Sequence, residues 1–324
     1  MSAWLAANLL RGVGMFAGGR SRLSILIYHQ VLPQPDPMRP DEVDAATFDW
    51  QMQLVSEGLR VMPLAEAVER LERNDLPPRA ACITFDDGYA DNFTIATPIL
   101  KRHGLTATFF IATGFLDGGR MWNDSIIESV RTAPGMTLDL ESIGLGSYAI
   151  GSPVERMQAA YAVIRAVKHR PPAERADYVA SVAERIGVAL PDDLMMTSAM
   201  VRQLRDAGMR IGGHTVSHPI LASTDESAAR REIAEGKERI EAIIGEPVHL
   251  FAYPNGKPGA DYRAEHVRIV RDCGFRAAVS TSWGTAHAAS DRFQLPRFLP
   301  WDRTPARFAA RLLRNRFTRP TYAV

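Results

Sequence analysis

Two short clusters in this sequence carry side chains suited to holding a cation and moving a proton. The first is Thr84-Phe85-Asp86-Asp87-Gly88-Tyr89, with adjacent carboxylates; the second is His214-Thr215-Val216-Ser217-His218, with imidazoles four residues apart. One carboxylate and two imidazoles make three ligands for one divalent ion of the zinc type. That set leaves positions open to water and substrate, as hydrolytic sites require and structural sites do not. The other carboxylate stays beside the ion for proton transfer. Adjacent side chains on an extended strand point to opposite sides, so both aspartates reach one cavity only if the chain turns there. Gly88 permits that turn. The two histidines face one way on a helical turn; Gly212-Gly213 before them and Pro219 after them allow a loop equally well. The hydroxyls of Thr215 and Ser217 could orient the ligands from behind. Asp-Asp-Gly is also an ordinary solvated turn, so each cluster gains its meaning from the other.

The elements around the clusters are those of an alternating chain. Apolar runs rich in branched residues predict buried strands at 24–28, 81–85, 106–112, 210–213, 248–252, 276–280 and 294–298. Amphipathic stretches predict helices at 47–57 with Thr47 as N-cap, 64–73, 92–103 with Pro98 inside it, 198–207, 225–244, 261–273 and 307–316. About seven strands alternating with helices predict a parallel α/β sheet, either open or closed into a barrel. In a barrel, side chains at the C-terminal strand ends gather on one rim. Asp86, Asp87, His214, His29 and the segment after Ala252 all fall at such ends. Between 115 and 199 the alternation lapses into a mostly helical insertion with helices at 153–168 and 172–186. Its entry, Met121-Trp122-Asn123-Asp124, could form a lid, pack on the barrel's side or make a dimer contact.

Composition bounds the function. The chain has 324 residues, 46% hydrophobic and 23% charged, as ordinary globular proteins do, and a net charge of +1, which argues against nucleic acid as a partner. Its two cysteines, Cys82 and Cys273, provide neither a disulfide framework nor a CxxC zinc pattern. Residues 1–19 are apolar but interrupted by Arg11, too short to span a bilayer and without the basic start of a secretory signal. They predict a helix docked on the protein, with peripheral membrane contact as the alternative and a cytoplasmic location as the default.

The paired motifs resemble those of the polysaccharide deacetylase family, the NodB-like deacetylases of carbohydrate esterase family 4 type. Three further segments extend the likeness: Leu26-Ile27-Tyr28-His29-Gln30-Val31, Phe251-Ala252-Tyr253-Pro254-Asn255-Gly256 and Leu295-Pro296-Arg297. The second of these is similar to the Phe-Ala-Tyr-Pro subgroup. The resemblance covers roughly residues 22–114 and 197–300. It implies a distorted (β/α)7-type barrel over 22–304, with the 115–199 insertion, an N-terminal apolar segment (1–21) and a C-terminal helix and tail (305–324). It implies Asp87, His214 and His218 as ligands of one divalent metal ion, zinc being expected. Asp86 would be the general base that activates water, Asn255 N–H a donor to the oxyanion, and Arg297 the residue that fixes Asp86. Tyr253, Trp122 and Trp283 are candidates to stack on sugar rings, and His29 to touch substrate or donate a proton. The substrate implied is an acetylated glycan, from which N-acetyl groups on N-acetylhexosamine units are removed.

The chain departs from the family pattern twice. Ala252 stands where many members carry an arginine, which is why Arg297 is expected to substitute from another strand. No Leu-x-His motif supplies a general acid. His287 falls in an expected loop, and Asp86 shuttling the proton itself is the alternative. Hydrolysis of another amide or an O-acetyl ester, or a non-catalytic glycan-binding barrel, are the competing readings.

Overall fold

The computed structural model describes residues 22–318 and 324. The expected N-terminal helix, its membrane contact and residues 319–323 of the tail lie outside them. Seven parallel strands form the centre: β1 (Arg22–Tyr28), β5 (Ala80–Phe85), β6 (Thr108–Ile111), β9 (Arg210–Gly213), β10 (Leu250–Ala252), β11 (Ala277–Trp283) and β13 (Leu295–Arg297), neighbours in that order. The ring closes where β13 returns to β1: Ile27 N–H donates to the Phe298 carbonyl (3.0 Å), and Phe298 N–H to that of Ile25 (2.7 Å). Pro296 lacks an N–H and shortens this seam. Four short strands complete the set around the barrel. β2 (Val31–Leu32) and β3 (Val43–Asp44) pair with each other, β4 (Arg60–Val61) adds to β5, and β12 (Ala286–His287) runs antiparallel to the start of β1. His287 therefore sits at the N-terminal end of β1, away from the rim.

The strands read as continuous apolar runs because both faces are buried. Leu23, Ile25, Cys82, Phe110, Ala252 and Val279 form one cluster, with Leu64, Val68 and Leu71 from α2 (Leu64–Glu72). The alternate residues, including Leu26, Ile83, Phe85, Phe109 and Phe251, pack against α1 (Ala45–Gly58), α3 (Thr97–Arg102), α7 (Ser198–Asp206) and α8 (Glu226–Ile244). α9 (Ala264–Asp272) and α10 (Pro305–Phe317) complete the helices on that side.

Three local details differ from expectation. Asp44, not Thr47, caps α1, its Oδ1 accepting the Thr47 N–H at 2.6 Å; a carboxylate satisfies the free N–H groups of the first turn better than a hydroxyl. The 92–103 helix opens as a π-turn over Asn92–Ala96 before α3. Pro98 has no N–H to give, and the wider turn together with the Thr97 hydroxyl bond to the Asn92 carbonyl (2.7 Å) accommodates it. The insertion is not wholly helical. Between α4 (Trp122–Thr132) and the pair α5 (Pro153–Val167) and α6 (Pro172–Ile186), a hairpin of β7 (Thr137–Asp139) and β8 (Ser147–Ala149) intervenes. Ile126, Val130, Leu140, Ala160 and Val163 make a core for this segment, separate from both barrel clusters.

Candidate active site

β5 ends at Phe85 and the chain reverses in a three-residue turn, closed by Gly88 N–H to the Asp86 carbonyl at 3.0 Å. Asp87 takes φ 75° and Gly88 φ 94°, a region costly for any residue but glycine. The reversal turns both carboxylates into one cavity. The φ of Gly88 favours glycine, and a Cβ there would also press within 3.3 Å of Ile111 Cγ2.

The second cluster follows β9 as a loop, not a helical turn. Thr215 (φ 66°) and His218 (φ 52°) are both left-handed. Glu232 of α8 pins the loop: its carboxylate accepts Val216 N–H (2.9 Å), Ser217 N–H (2.8 Å) and the Ser217 hydroxyl (2.6 Å). Thr215 Oγ1 accepts the His218 N–H at 3.1 Å. The two hydroxyls thus brace the loop backbone and do not touch the imidazole rings. Gly236 lets α8 approach, since a Cβ there would be 2.8 Å from the Thr215 carbonyl carbon.

The loop brings His214 Nε2 to 3.3 Å and His218 Nε2 to 3.4 Å from Asp87 Oδ1. His214 Nδ1–H donates to the Ala252 carbonyl at 2.7 Å, which fixes the ring with Nε2 toward Asp87. Burial pushes the His218 imidazole down to about 4, so it is neutral near pH 7, whereas at His214 the Asp87 and Asp86 carboxylates outweigh burial and draw the imidazole upward. Asp87 Oδ1 is buried and, among the described residues, has no hydrogen-bond partner. Burial alone would raise this carboxyl, but the nearby His218 and His214 hold it well below the usual range. Two imidazole nitrogens and a carboxylate oxygen that converge on one point are the donor set of a divalent cation, and the three ligand atoms lie within 4.8 Å of one another.

Asp86 is held differently. Arg297 donates to both its oxygens at 2.7 Å, with a guanidinium wholly buried and a carboxylate nearly so. Arg297 Nε is anchored on the Ser280 carbonyl at 2.8 Å. Its reach comes from a register break: Val279 pairs with Leu295 and Trp283 with Arg297, so an excess of residues in β11 bulges against β13 and re-aims the side chain. Burial would raise the Asp86 carboxyl, but the Arg297 charge outweighs it and keeps Asp86 ionised.

Asn255 follows β10 in a second tight turn, with φ 57° and Gly256 N–H to the Pro254 carbonyl at 2.6 Å. Thr281 fixes this turn through its hydroxyl to the Asn255 carbonyl (2.8 Å) and its N–H to the Gly256 carbonyl (2.8 Å). His29, Trp122, Asn255 and Thr281 line the same cavity as Asp86, Asp87 and the histidines, about 270 Å³ in volume. Tyr253 does not. It is fully buried and stacked on Tyr262 with centroids 3.8 Å apart, because β10 points it into the helix layer, so it offers no face to a sugar. Trp283 packs on Phe298 and under Arg311 and is likewise remote from the cavity.

The sequence reading missed the polar wall behind these residues. The Pro-rich loop after β1 supplies Arg39, which pairs with Asp124 (2.8 Å) and Glu128 (3.0 Å) of α4 and donates to Gln30 (2.6 Å). Tyr89 donates to the other Asp124 oxygen at 3.0 Å, tying the Asp-Asp-Gly-Tyr turn to the insertion. Half-buried Asp91 accepts from Val31 N–H and Gln30, each at 3.2 Å. Acidic residues with a distant arginine give no local pattern, and Tyr89 beside the aspartates was the one signal available.

A seven-stranded parallel barrel bearing a carboxylate–bis-histidine cluster and an arginine-held carboxylate on its C-terminal rim defines a class of barrel proteins with a candidate cation-assisted hydrolytic site. The polysaccharide deacetylase family model matches residues 73–142 and 148–278, and the chain belongs to that family. It is 20% identical over 278 residues to the YxkH protein of Bacillus subtilis (strain 168), spanning 86% of this chain and 71% of that protein. Among solved structures it is similar to the deacetylase PplD of Streptococcus pyogenes in complex with acetate (TM-score 0.61, 20% identity, 92% of this chain and 99% of that one). IcaB from Ammonifex degensii is also similar (TM-score 0.57, 20% identity, 90% and 97%). These structural likenesses support the barrel fold. Among the described residues, no helix is long and apolar enough to cross a membrane.

Proposed function

We propose that the chain is a metal-dependent N-deacetylase acting on N-acetylhexosamine units of a bacterial polysaccharide or glycan precursor. The observation that carries this reading is the pairing of two differently held aspartates: Asp87 facing two imidazoles, Asp86 clamped by Arg297 beside it. A divalent cation held by Asp87, His214 and His218 supplies a lowered water pKa and a polarised acetamido carbonyl. Asp86 is ionised throughout the working range and accepts the proton of the attacking water on a carboxylate oxygen. The Asn255 N–H donates to the carbonyl oxygen as negative charge develops there, a contribution of about 3 kcal/mol for one such donor. His29 faces the same cavity and has the chemistry to deliver a proton to the leaving amine nitrogen, the role for which no Leu-x-His residue is present. Trp122 lines the cavity with the Arg175 guanidinium over one face of its ring, so a sugar ring would meet the other face. The separate core of the insertion supports dividing the chain into a barrel (22–304) interrupted at 115–199, followed by a C-terminal helix and tail.

Acetate release from N-acetylglucosamine oligomers, measured with elemental analysis of the same samples, tests the reading. Asp86→Asn should lose at least about a hundredfold in rate while keeping its metal. The double variant His214→Ala/His218→Ala should lose the metal. Wild-type rates in Asp86→Asn, or no metal in the wild type, would overturn it.

A further inference from the structure

Two cations of the insertion line the cavity with no role in the chemistry above: Lys168, directly after α5, and Arg175 in the first turns of α6. Arg175 is only 6% exposed. Its guanidinium lies over the Trp122 ring at 4.8 Å, and among the described residues it donates to the Lys168 carbonyl at 3.4 Å. Among the described residues, no carboxylate lies within ion-pair distance of either Arg175 or Lys168. The other charges of the cavity are already committed. Arg39 is spent on Asp124 and Glu128, and Asp86 on Arg297. Asp87 faces the histidines, and Glu42 accepts the Gln30 N–H. A buried guanidinium without a counter-charge is costly, and stacking on Trp122 offsets only part of that cost. Burial also draws its pKa below the usual value, with no acidic neighbour to restore it.

We propose that Lys168 and Arg175 form a recognition site for an oxyanion of the glycan, a carboxylate or a phosphate, next to the sugar that is deacetylated. This rests on the deacetylase reading and narrows it to anionic polymers. A planar guanidinium on an aromatic shelf presents paired N–H groups to an oxyanion, and the lysine adds a mobile point charge. Both residues come from the insertion, so substrate choice resides in the segment that interrupts the barrel.

The test uses the full metal-loaded chain and three tetrasaccharides: N-acetylglucosamine alone, N-acetylglucosamine alternating with glucuronic acid, and N-acetylglucosamine units joined by a phosphodiester. The preferred anionic substrate should exceed the neutral one in kcat/KM by about tenfold or more, as charge-assisted hydrogen bonds give, and whichever arm wins identifies the oxyanion. Arg175→Gln and Lys168→Gln should collapse that ratio through KM, Arg175→Lys should restore part of it, and added salt should erode it. Equal kcat/KM for all three in the wild type, or a preference that the glutamine variants keep, would overturn the proposal. Acetate released from none of them would instead overturn the deacetylase reading. Calorimetric titration would then judge the oxyanion site by itself: tighter binding of an anionic than of the neutral tetrasaccharide supports it, and equal binding refutes it.

Discussion

Replacing Arg297 with methionine isolates what sets the charge of Asp86. The methionine fills much of the same volume but leaves a carboxylate, 4% exposed, without the two 2.7 Å donors that faced it. Removing one partner of a buried pair costs about 3–5 kcal/mol, chiefly because the remaining charge is stranded. The pH dependence gives a second, sharper signature. In the wild type the folded Asp86 pKa lies below its unfolded value, so its contribution to stability is present above about pH 4 and lost as pH falls through the folded pKa. In the variant only His214 and His29 remain to oppose burial, so the folded pKa rises and the stability gained above about pH 4 shrinks. The gap between the two proteins therefore widens from acid to neutral pH. Urea denaturation across that range, with chelator present to remove any bound metal, measures it. Adding Asp86→Asn to the variant should recover much of the loss, because no charge is then buried. A gap below about 1 kcal/mol, constant with pH, would refute the claim that Arg297 governs this carboxylate.

Three further outcomes follow from the surroundings of the site. Glu232→Gln removes the charge that gathers two N–H groups and a hydroxyl of the histidine loop, and should weaken metal binding roughly tenfold or more in a chelator competition. Gly236→Ala drives a methyl into the Thr215 backbone from 2.8 Å, and should cost about 1–3 kcal/mol in denaturant unfolding. Burial pushes Asp91 up to about 8, so its stabilising contribution is complete below the unfolded pKa near 4 and is lost as pH rises through about 8. Asp91→Asn should flatten that decline, and the variant should gain on the wild type most at pH 8 and above in parallel melts.

The strands were legible because parallel strands buried on both faces leave unbroken apolar runs such as Ser24–Tyr28 and Ala81–Phe85. The turn after Phe85 was legible because Gly88 marks where a reversal is possible. The Arg297 contact was reachable only through resemblance: the bulge between β11 and β13 that aims it depends on pairing between two strands, which no local pattern encodes. The same holds for Glu232, which serves its loop from a helix later in the chain. Tyr253 was misjudged because its place one residue beyond β10 suggested the rim, whereas strand alternation sends it into the helix layer against Tyr262. The hairpin 137–149 escaped notice because its strands are three residues each, too short for a period-2 pattern to emerge.

The core enclosed by α4, the hairpin, α5 and α6 takes in Met38 of the loop after β1 but shares no buried residue with the two barrel clusters. A unit with its own core can open while the barrel stays folded. One wall of the cavity belongs to that unit, and the aspartates and histidines of the candidate site do not. A polymer could therefore be admitted sideways, at an internal sugar, without first being threaded by its end. Deacetylation at interior positions, in a pattern scattered along the chain and not progressive from one terminus, is the behaviour such a divided cavity would impose.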